Sequence, residues 1–498
     1  MEFSEEDTKI IEASHPRLIE LIKILLQTNL DLQRRVQELE NRLNLNSSNS
    51  SIPHSKDPLN KKVKKDRNSR EKTGKLPGGQ PGHPGKTLLP KNEPDDVIDY
   101  KPEVCSHCSS ILSTNNQDFV EERQEVEIPV VQAQYIAHRI FSCICPRCNS
   151  LNQGEFPPHI THKIQYGLRL TAFVAYLAAY QLIPVKRLTE TLTDLLGCPI
   201  SQGTVINMTH RVSSNLDGFI EIVKNLLINS PVIHNDETGA KKGKEKRWLH
   251  VACTPLLTLY GVFSSRGKEA IDALGILPNY FGVVIHDFWG PYINYPCKHA
   301  YCNAHIIREL TRVDDETGQQ WAVKLRSLLV KAKKISELYH NDDLLVPEDM
   351  LKKLHQSYLQ LVAEGFTANP PPPLPAKKAR GRKKQSTALN LLDRLCMYQD
   401  DILRFLYDPS VSFDNNQAER DIRMAKLKMK ISGAFRSNRG ADAFCRLRSY
   451  ISTMKKQNVS IIDGLIVASM GKPWLPGQII TCESIETQTV FDVQKGYA

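Results

Sequence analysis

Three acidic residues occur where a sheet and a later helix could bring their carboxylates together. Asp236 closes the apolar segment VIHND, Asp287 follows FGVVIH, and Glu419 lies in SFDNNQAERDIRMAKLKMK. Carboxylate oxygens suit Mg²⁺, and two such ions about 3.5–4 Å apart can hold the attacking and leaving oxygens of an in-line phosphoryl displacement. These acids therefore predict a two-metal site for phosphodiester chemistry, with Glu237 and Asp414 as the nearest rivals.

The hypothesis gives each acid a role. Asp236 bridges two Mg²⁺ (or Mn²⁺) ions, Asp287 holds one of them and Glu419 holds the other. Water, and then the freed 3′-hydroxyl, would attack DNA phosphodiesters at this one site, and loss of any acid should abolish the reaction. A single Asp at a strand end is more often a turn former, and Glu419 could make only a surface ion pair. The order of the three acids along the chain favours the metal site.

The elements around the first two acids predict a mixed sheet. From Pro231 the pattern is strand, strand, strand, helix, strand, with an Asp closing the first and the fourth strand. An RNase-H-like fold uses this order to place two carboxylates at the ends of adjacent central strands. The sequence thus predicts an RNase-H-like core whose first and fourth strands are neighbours.

A later helix is predicted to supply the third acid. Asp414 is a plausible helix cap, and apolar residues recur at helical spacing after it, giving a face that can pack on a sheet. Glu419 would then lie more than one turn inside the helix. Arg423, one turn further along, could orient Glu419 or meet a phosphate.

A second potential metal site consists of two C-x-x-C pairs. The chain has twelve cysteines, and its pairs are Cys105 with Cys108 and Cys145 with Cys148. In a reducing compartment such pairs indicate metal binding more than disulfides. Four thiolates suit tetrahedral Zn²⁺ and leave no open coordination position, so the predicted role of one zinc ion is structural.

The segment between the two pairs is unusually long, at 36 residues. Polar and apolar residues alternate over 122–140, which predicts strands that bring the pairs together. Cys143, His107 and His138 are alternative ligands. Ordinary buried cysteines are the simpler alternative to a zinc site.

The N-terminal segment carries a coiled-coil pattern. Two interleaved heptad series define its seam, Leu18, Leu25, Leu32 and Leu39 in one, and Ile22, Asn29, Val36 and Leu43 in the other. Leucine in one series, with β-branched residues and a single Asn in the other, favours a parallel, in-register homodimer. In that dimer Arg35 could reach Glu40 of the partner chain. An amphipathic helix packed on its own protein is the alternative.

Two basic tracts suggest contact with DNA phosphates. Between Lys56 and Lys91 there are eleven Lys or Arg residues and three acids, and residues 377–384 hold six basic residues in eight. Such excesses of positive charge can follow a phosphate backbone, and Arg380-Gly-Arg382 suits a minor groove. A solvated linker and a disordered loop are the alternatives.

A helical region at 166–211 resembles a helix-turn-helix arrangement. Ser201 is predicted to cap a short helix that bears Thr204 and Asn207. Most helix runs of this kind bind nothing, so the pattern is weak by itself. The residues predicted to contact DNA are Lys61, Lys62, Lys64, Lys65, Arg67, Thr204, Asn207, Lys377, Lys378, Arg380, Arg382, Lys383, Lys384, Arg420 and Arg423.

Composition is that of a folded protein with several domains. The 498 residues are 41% hydrophobic and 24% charged, with a net charge of +10. The acidic N-terminus lacks a signal-peptide layout, and no apolar run reaches the roughly 18 residues that span a bilayer. We therefore expect a cytoplasmic protein with no membrane partner. The predicted α+β domains are a coiled coil (1–45), a basic linker (46–98), a zinc module (99–152), a helical DNA-binding region (160–225), a catalytic core (228–470) with a helical insertion at about 303–410, and a tail (471–498).

The whole pattern resembles the transposases of the insertion-sequence sixty-six type. The motifs that carry this resemblance run in order along nearly the whole chain: GGQPGHPG at 78–85, the two cysteine pairs, GCPISQGT at 197–204, HNDETG at 234–239, the RG of SSRG, HDFWGPY at 286–292, CNAHIIREL at 302–310 and DNNQAER at 414–420. Two departures are the Phe-Trp of HDFWGPY, where Gly-Tyr is more usual, and the additional Cys143.

The resemblance implies a DDE-type transposase that acts on element ends and target DNA, with a zipper-like N-terminus, a zinc module and an RNase-H-like core. It also implies a bacterial protein associated with the nucleoid. Its motif acids fall on Asp236, Asp287 and Glu419. The 131 residues between Asp287 and Glu419 correspond to the family's helical insertion, and accessory proteins of the same element are plausible partners. The alternatives are an inactive DNA-binding protein of transposon origin and a coiled-coil and zinc adaptor for protein partners.

Overall fold

In the computed structural model, the chain divides into two compact units. The first takes in the described residues of Met1–Arg70, His138–Glu190 and Ile200–Ala498, and the second those of Glu71–Ala137 and Thr191–Pro199. The basic tracts at 61–67 and 377–384 lie outside the described residues. The structure describes residues 16–50, 82, 88–113, 117–342, 344–371 and 385–478.

The described residues form seven strands and a larger number of helices. The strands are β1 (Ser142–Ile144), β2 (Leu151–Gln153), β3 (Val232–Lys242), β4 (Glu245–Cys253), β5 (Thr258–Phe263), β6 (Val283–His286) and β7 (Lys298–Tyr301). The α-helices are α1 (Pro16–Leu43), α2 (Leu168–Ala175), α3 (Val185–Leu196), α4 (Gln202–Ser214), α5 (Asp217–Ile228), α6 (Lys268–Leu274), α7 (Asn303–Thr317), α8 (Gln320–His340), α9 (Glu348–Ala368), α10 (Thr387–Met397), α11 (Gln399–Tyr407), α12 (Asn416–Ser432), α13 (Asn438–Lys456) and α14 (Ile461–Ser469). A π-helical turn (Tyr176–Tyr180) and two 3₁₀ turns (Leu277–Asn279 and Gly290–Asn294) complete the set.

The five-stranded sheet has the predicted order of elements. Its strands run β5-β4-β3-β6-β7 across the sheet, with β3 antiparallel to β4 and parallel to β6. The first strand of this sheet in chain order, β3, is therefore central and lies beside the fourth, β6, as predicted. The chain is mixed α and β, and its sheet is mixed as well.

The first strand is longer than predicted. It continues through Asp236 to Lys242 and pairs with β4 along its whole second half. A two-residue turn at Gly243 and Lys244 joins the two strands, and Gly243 adopts φ +56°, which favours glycine and suits a tight hairpin. The prediction that the strand ends at Asp236 was wrong, because backbone pairing with β4 continues into a polar sequence.

Helices pack on both faces of the sheet. One core joins α2, α4, α5, α13 and α14 to the sheet, and another joins β6 and β7 to the helices α7–α11. A third core consists of the buried residues Ala418, Ile422 and Ala425 of α12, which pack on β4, β5 and part of α13. Those three residues are the apolar positions that the helical spacing predicted. The described residues between β7 and α12 form the helices α7–α11.

The N-terminal heptads form the single helix α1. Leu25, Leu32 and Leu39 of its predicted seam are each more than half exposed in the single chain. An exposed apolar stripe fits a partner helix, and the dimer stays a prediction. Among the described helices, none combines the length and the apolar composition that crossing a membrane would need.

The strands predicted at 122–140 are not formed. The apolar residues Val126, Ile128 and Val130 are more than three-quarters exposed, and no ladder pairs this segment with the rest of the described chain. Alternation of polar and apolar residues yields a strand only where a neighbouring backbone and a buried face exist. The short antiparallel pair of β1 and β2 lies instead on either side of Cys145 and Cys148.

Candidate active site

Strand pairing brings the first two predicted acids together. In the parallel pair of β3 and β6, Val232 lies opposite Val283 and His234 opposite Ile285. When this residue-by-residue pairing is continued for two more residues, Asp236 of β3 lies opposite Asp287, which directly follows β6. Both carboxylates are fixed locally, since Asp236 Oδ1 accepts a hydrogen bond from the Glu237 amide at 2.8 Å and Asp287 Oδ1 accepts one from the Trp289 amide at 2.9 Å.

These two acids are held in an environment that disfavours their charge. Burial, followed by the charges of Glu237 and Asp287, raises the pKa of Asp236 to about 8. Burial also raises the pKa of Asp287, against the opposing effects of the Trp289 amide and Arg266. Within the described part of the chain neither carboxylate makes an ion pair. A cation placed between them would relieve this repulsion, so the donor set fits a divalent metal ion.

The raised pKa of Asp236 predicts a pH-dependent stability. The folded chain binds the proton more tightly than the unfolded chain, for which the pKa is near 3.8. This contribution to stability is thus complete below about pH 4 and is lost as the pH rises to about 8. In a chelator-containing buffer, we expect the free energy of unfolding to fall by a few kcal/mol across this range. Its slope against pH is at most about 1.4 kcal/mol per pH unit, because one proton is involved. Urea titrations at several pH values measure it.

The Asp236→Asn variant is expected to flatten that decline, because the amide cannot ionise. Asp194→Asn, which changes an exposed carboxyl, is the control and should keep the wild-type profile. If Asp236→Asn and wild type declined in parallel, the raised pKa would not be the cause.

Glu419 lies on a helix anchored to the strand of Asp236. The N-cap of α12 is Asn415, whose Nδ2 donates to the Asn235 carbonyl at 2.7 Å and whose Oδ1 lies 2.9 Å from His234 Nδ1. This side chain thus joins the start of α12 to the middle of β3. Asn415 was not singled out from the sequence, although it belongs to the motif DNNQAER.

Two details of the predicted helix start were wrong. Asp414 is not the cap; its Oδ1 accepts from the Asn416 amide at 3.1 Å in the turn before the helix. Because the helix starts later than expected, Glu419 lies in its first turn and not deeper. Arg423 lies one turn on, as predicted, with Nη2 3.8 Å from Glu419 Oε2.

The three acids do not form one tight cluster. Over the described residues, a single set of three potential ligands has all its ligand atoms within 4.8 Å of one another, and it consists of Cys302, His305 and Glu419. The structure therefore brings Asp236 and Asp287 together on adjacent strands. It holds Glu419 on a helix attached to β3 without closing all three carboxylates on one point.

The rival acid Glu237 has a different role. Its side chain is 1% exposed, and Oε1 accepts from Arg266 Nη2 at 2.6 Å and Nε at 2.9 Å. The Tyr292 hydroxyl donates to Oε2 at 2.6 Å. The Arg266 guanidinium also lies over the rings of Trp289 and Trp248, at 3.7 and 5.0 Å from their centroids. Glu237 is therefore a buried structural partner, and the RG of SSRG was the only sign of Arg266 in the sequence.

Arg308 is a further residue that the sequence did not single out. It belongs to α7, and its Nη2 lies 3.6 Å from Glu419 Oε1. Burial is the main influence on Asp287, and Arg308 is one of the cations that lower the pKa of that acid. One guanidinium on the insertion thus acts on the second and the third predicted acid. Its position in the motif CNAHIIREL was the available signal.

The predicted DNA-contacting residues in the described chain differ in exposure. Ser201 caps α4 as predicted, accepting from the Thr204 amide at 3.1 Å. Thr204 is half-buried, while Asn207, Arg420 and Arg423 are exposed.

The two cysteine pairs adopt the same local turn. The backbone carbonyls of Cys105 and Cys145 each accept a hydrogen bond from the amide four residues later, at 2.9 and 2.8 Å. The amides of the same two cysteines each donate to the carbonyl of the serine five residues later, at 2.9 Å. Hydrogen bonding to Ser110 lowers the pKa of Cys108 to about 7, and Ser150 lowers that of Cys148 in the same way. Both effects favour thiolates. The shared zinc ion stays a prediction from the sequence.

Comparison with known proteins gives three matches. A family model described as "Transposase IS66 family" matches residues 163–443, and one described as a family of unknown function (DUF6444) matches residues 5–88. The chain is also 22% identical over 407 residues to the "Uncharacterized protein y4jD" of Sinorhizobium fredii (strain NBRC 101917 / NGR234), which covers 74% of this chain and 75% of that protein.

Proposed function

The chain belongs to the IS66 transposase family, and on that premise we propose that it is a DDE-type DNA transposase that cleaves the ends of an insertion element and joins them to target DNA. One observation carries the proposal: Asp236 of β3 and Asp287, which follows the adjacent strand β6, lie close enough for their charges to repel, and neither carboxylate makes an ion pair in the described chain. The order of the five-stranded sheet supports an RNase-H-like core around them.

Asp236, Asp287 and Glu419 are the residues that would hold two divalent cations. All three offer hard carboxylate oxygens, which suit Mg²⁺ or Mn²⁺. When bound, such a pair of ions activates the attacking oxygen and stabilises the leaving oxygen of an in-line displacement. Glu419 can turn toward the two aspartates, because its ion pairs with Arg308 and Arg423 are long, at 3.6 and 3.8 Å, and such pairs are weak.

The other side chains of the site prepare it for DNA. Arg423 is 67% exposed beside Glu419, where it can contact a phosphate of the bound strand. The Arg266 and Glu237 pair fixes the strand that carries Asp236 from its buried side. Asn415 holds the start of the Glu419 helix to that strand, so the backbone segments that carry Asp236 and Glu419 keep their relative positions when DNA arrives.

Cleavage of element ends in the presence of Mg²⁺ tests the proposal. A labelled duplex that contains one end of the element, incubated with the full chain and Mg²⁺, is expected to be nicked at the element boundary. A chelator in excess should abolish nicking and leave the electrophoretic shift of bound DNA. Binding without nicking in Mg²⁺ and in Mn²⁺ would favour the alternative of a catalytically inactive DNA-binding protein of transposon origin.

Salt should distinguish DNA contact from a protein adaptor. The residues proposed to contact phosphates include Lys61, Lys62, Arg420 and Arg423, and each neutralised phosphate contributes about −0.9 to the log-log slope of affinity against salt. We expect the double variant Arg420→Gln/Arg423→Gln to flatten the slope by about 2. Filter binding between roughly 50 and 200 mM salt measures it. A slope near zero for wild type would contradict the proposed DNA contacts.

The N-terminal modules are proposed to assemble and stabilise the transposase. The exposed seam of α1, with Leu25, Leu32 and Leu39, supports a parallel homodimer, which brings two catalytic cores to the two ends of an element. The turns at the cysteine pairs support a structural zinc ion. Accessory proteins of the same element are plausible further partners.

A further inference from the structure

A group of three unlike metal-binding side chains lies beside the proposed carboxylate site. One ligand atom each from Cys302, His305 and Glu419 falls within 4.8 Å of the other two. Cys302 is 1% exposed. A thiol, an imidazole and a carboxylate together form a set that carboxylate-only Mg²⁺ sites do not use.

Two helix starts create this group. Cys302 is the N-cap of α7, and His305 lies in the first turn, with its amide donating to the Cys302 carbonyl at 3.0 Å. Residues three apart at a helix start share one face. The first turn of α12 supplies Glu419 from the other side, and the Asn415 amide donates to Cys302 Sγ at 3.2 Å. The two helices are thereby fixed at the point where the ligands meet.

An unsatisfied atom points to a missing ligand. The Nδ1 atom of His305 is shielded from solvent and has no hydrogen-bond partner in the described residues. A buried polar atom without a partner destabilises the folded state, and such atoms are rare in folded proteins. A metal ion bound to Nδ1 of this imidazole would account for this atom.

We propose that Cys302, His305 and Glu419 bind a divalent ion of the zinc class. Zinc bonds of about 2.0–2.3 Å place tetrahedral ligands roughly 3.5 Å apart, so the three atoms need to close by about 1 Å. Thiolate and imidazole favour Zn²⁺ over Mg²⁺. Three protein ligands leave one coordination position for water or another ligand, unlike the predicted four-thiolate site.

Charge balance is consistent with this ion. Binding releases the thiol proton to solvent, so a thiolate and a carboxylate neutralise the two charges of the metal. Arg308, 3.6 Å from Glu419, and Lys426, whose charge also acts on His305, are the cations nearby. The ion must compete with the long Arg308 contact for Glu419. If the proposed function holds, zinc here would also compete with Mg²⁺ for Glu419.

Cobalt binding by the full chain tests the site without DNA or activity. The parent protein carries Cys105→Ser and Cys108→Ser, which removes the predicted four-thiolate site. After removal of metals by a chelator, titration with Co²⁺ should give a thiolate-to-cobalt charge-transfer band that saturates at about one ion per chain. In this parent, Cys302→Ser should abolish the band, and His305→Ala should weaken binding at least about tenfold.

The matched control changes a buried thiol outside the group. Cys297→Ser, at a residue 6% exposed, should keep both the band and the affinity. Where Cys302→Ser fails to fold by circular dichroism, Glu419→Gln replaces it, because that side chain lies on a partly exposed helix turn. Glu419→Gln keeps the thiolate and should weaken binding at least about tenfold, so for this variant an unchanged affinity is the contrary result. An unchanged band in the variants, or no band in the parent, overturns the site. Neither result depends on DNA cleavage, so it leaves the proposed transposase activity to its own test.

Discussion

Asparagine in place of Asp236 is expected to lower the rate of Mg²⁺-dependent cleavage of element ends by about a thousandfold or more. Loss of a carboxylate that is proposed to hold the divalent ions would forfeit several kcal/mol of transition-state stabilisation, and each 1.36 kcal/mol is about tenfold in rate. Asp287→Ala should have an effect of similar size. The measurement is single-turnover nicking of a labelled element end, with DNA binding followed separately.

Asp414→Asn is the matched control for that loss. Asp414 lies close in sequence to Glu419, but its Oδ1 accepts a backbone hydrogen bond, which an asparagine oxygen can also accept. We expect near wild-type cleavage. Because Asp236→Asn also removes an unfavourable buried charge, this variant should be at least as stable as wild type near pH 8. Equal cleavage by wild type and the Asp236 and Asp287 variants would remove these acids from the mechanism.

The second large effect concerns stability. Arg266→Leu leaves Glu237 with a buried charge and no cation, and we expect a loss of about 3 kcal/mol in the free energy of unfolding, at the lower end for a broken buried pair since Arg266 is itself partly exposed. Urea denaturation measures it. Adding Glu237→Gln to Arg266→Leu should recover at least half of the loss, because the amide needs no counter-charge and still accepts from Tyr292.

An ion pair of equal length supplies the control. Arg247 Nη2 and Glu245 Oε2 are 2.6 Å apart, the same as the Arg266 and Glu237 pair, but the Glu245 side chain is 56% exposed. Arg247→Leu should cost about 0–1 kcal/mol. Losses of equal size in the two single variants would show that burial does not set the strength of the Arg266 pair.

The sequence predicted the parts of the fold that hydrophobic patterns specify. The order of the sheet and the buried face of α12 follow from apolar spacing. The second half of β3 was missed because DETGAKKGKE is polar and glycine-containing, and its strand conformation depends on pairing with β4. For the segment 122–140 the prediction failed in the opposite direction. Its residues alternate as those of a strand do, but no strand of the described chain pairs with it.

The candidate site was predicted at the level of its acids and not of their surroundings. Asp236 and Asp287 could be placed side by side because each comes at the end of a short apolar segment of the sequence. The partnership of Glu237 with Arg266 joins residues 29 apart in sequence, and spacing does not indicate such a pair. Either Asp414 or Asn415 could cap α12 by residue type. Only packing against β3 selects Asn415.

The two ends of α12 are both attached to the β3 hairpin. Asn415 binds the middle of β3 at one end, and beyond the other end Phe435 donates to the Lys241 carbonyl at 2.8 Å and accepts from the Gly243 amide at 2.9 Å. A slip of the helix by one residue would break both attachments. The conformational entropy of aligning Asp236 with Glu419 is therefore lost when the chain folds. DNA binding need not order this pair of elements again, which preserves binding free energy for deforming the DNA itself.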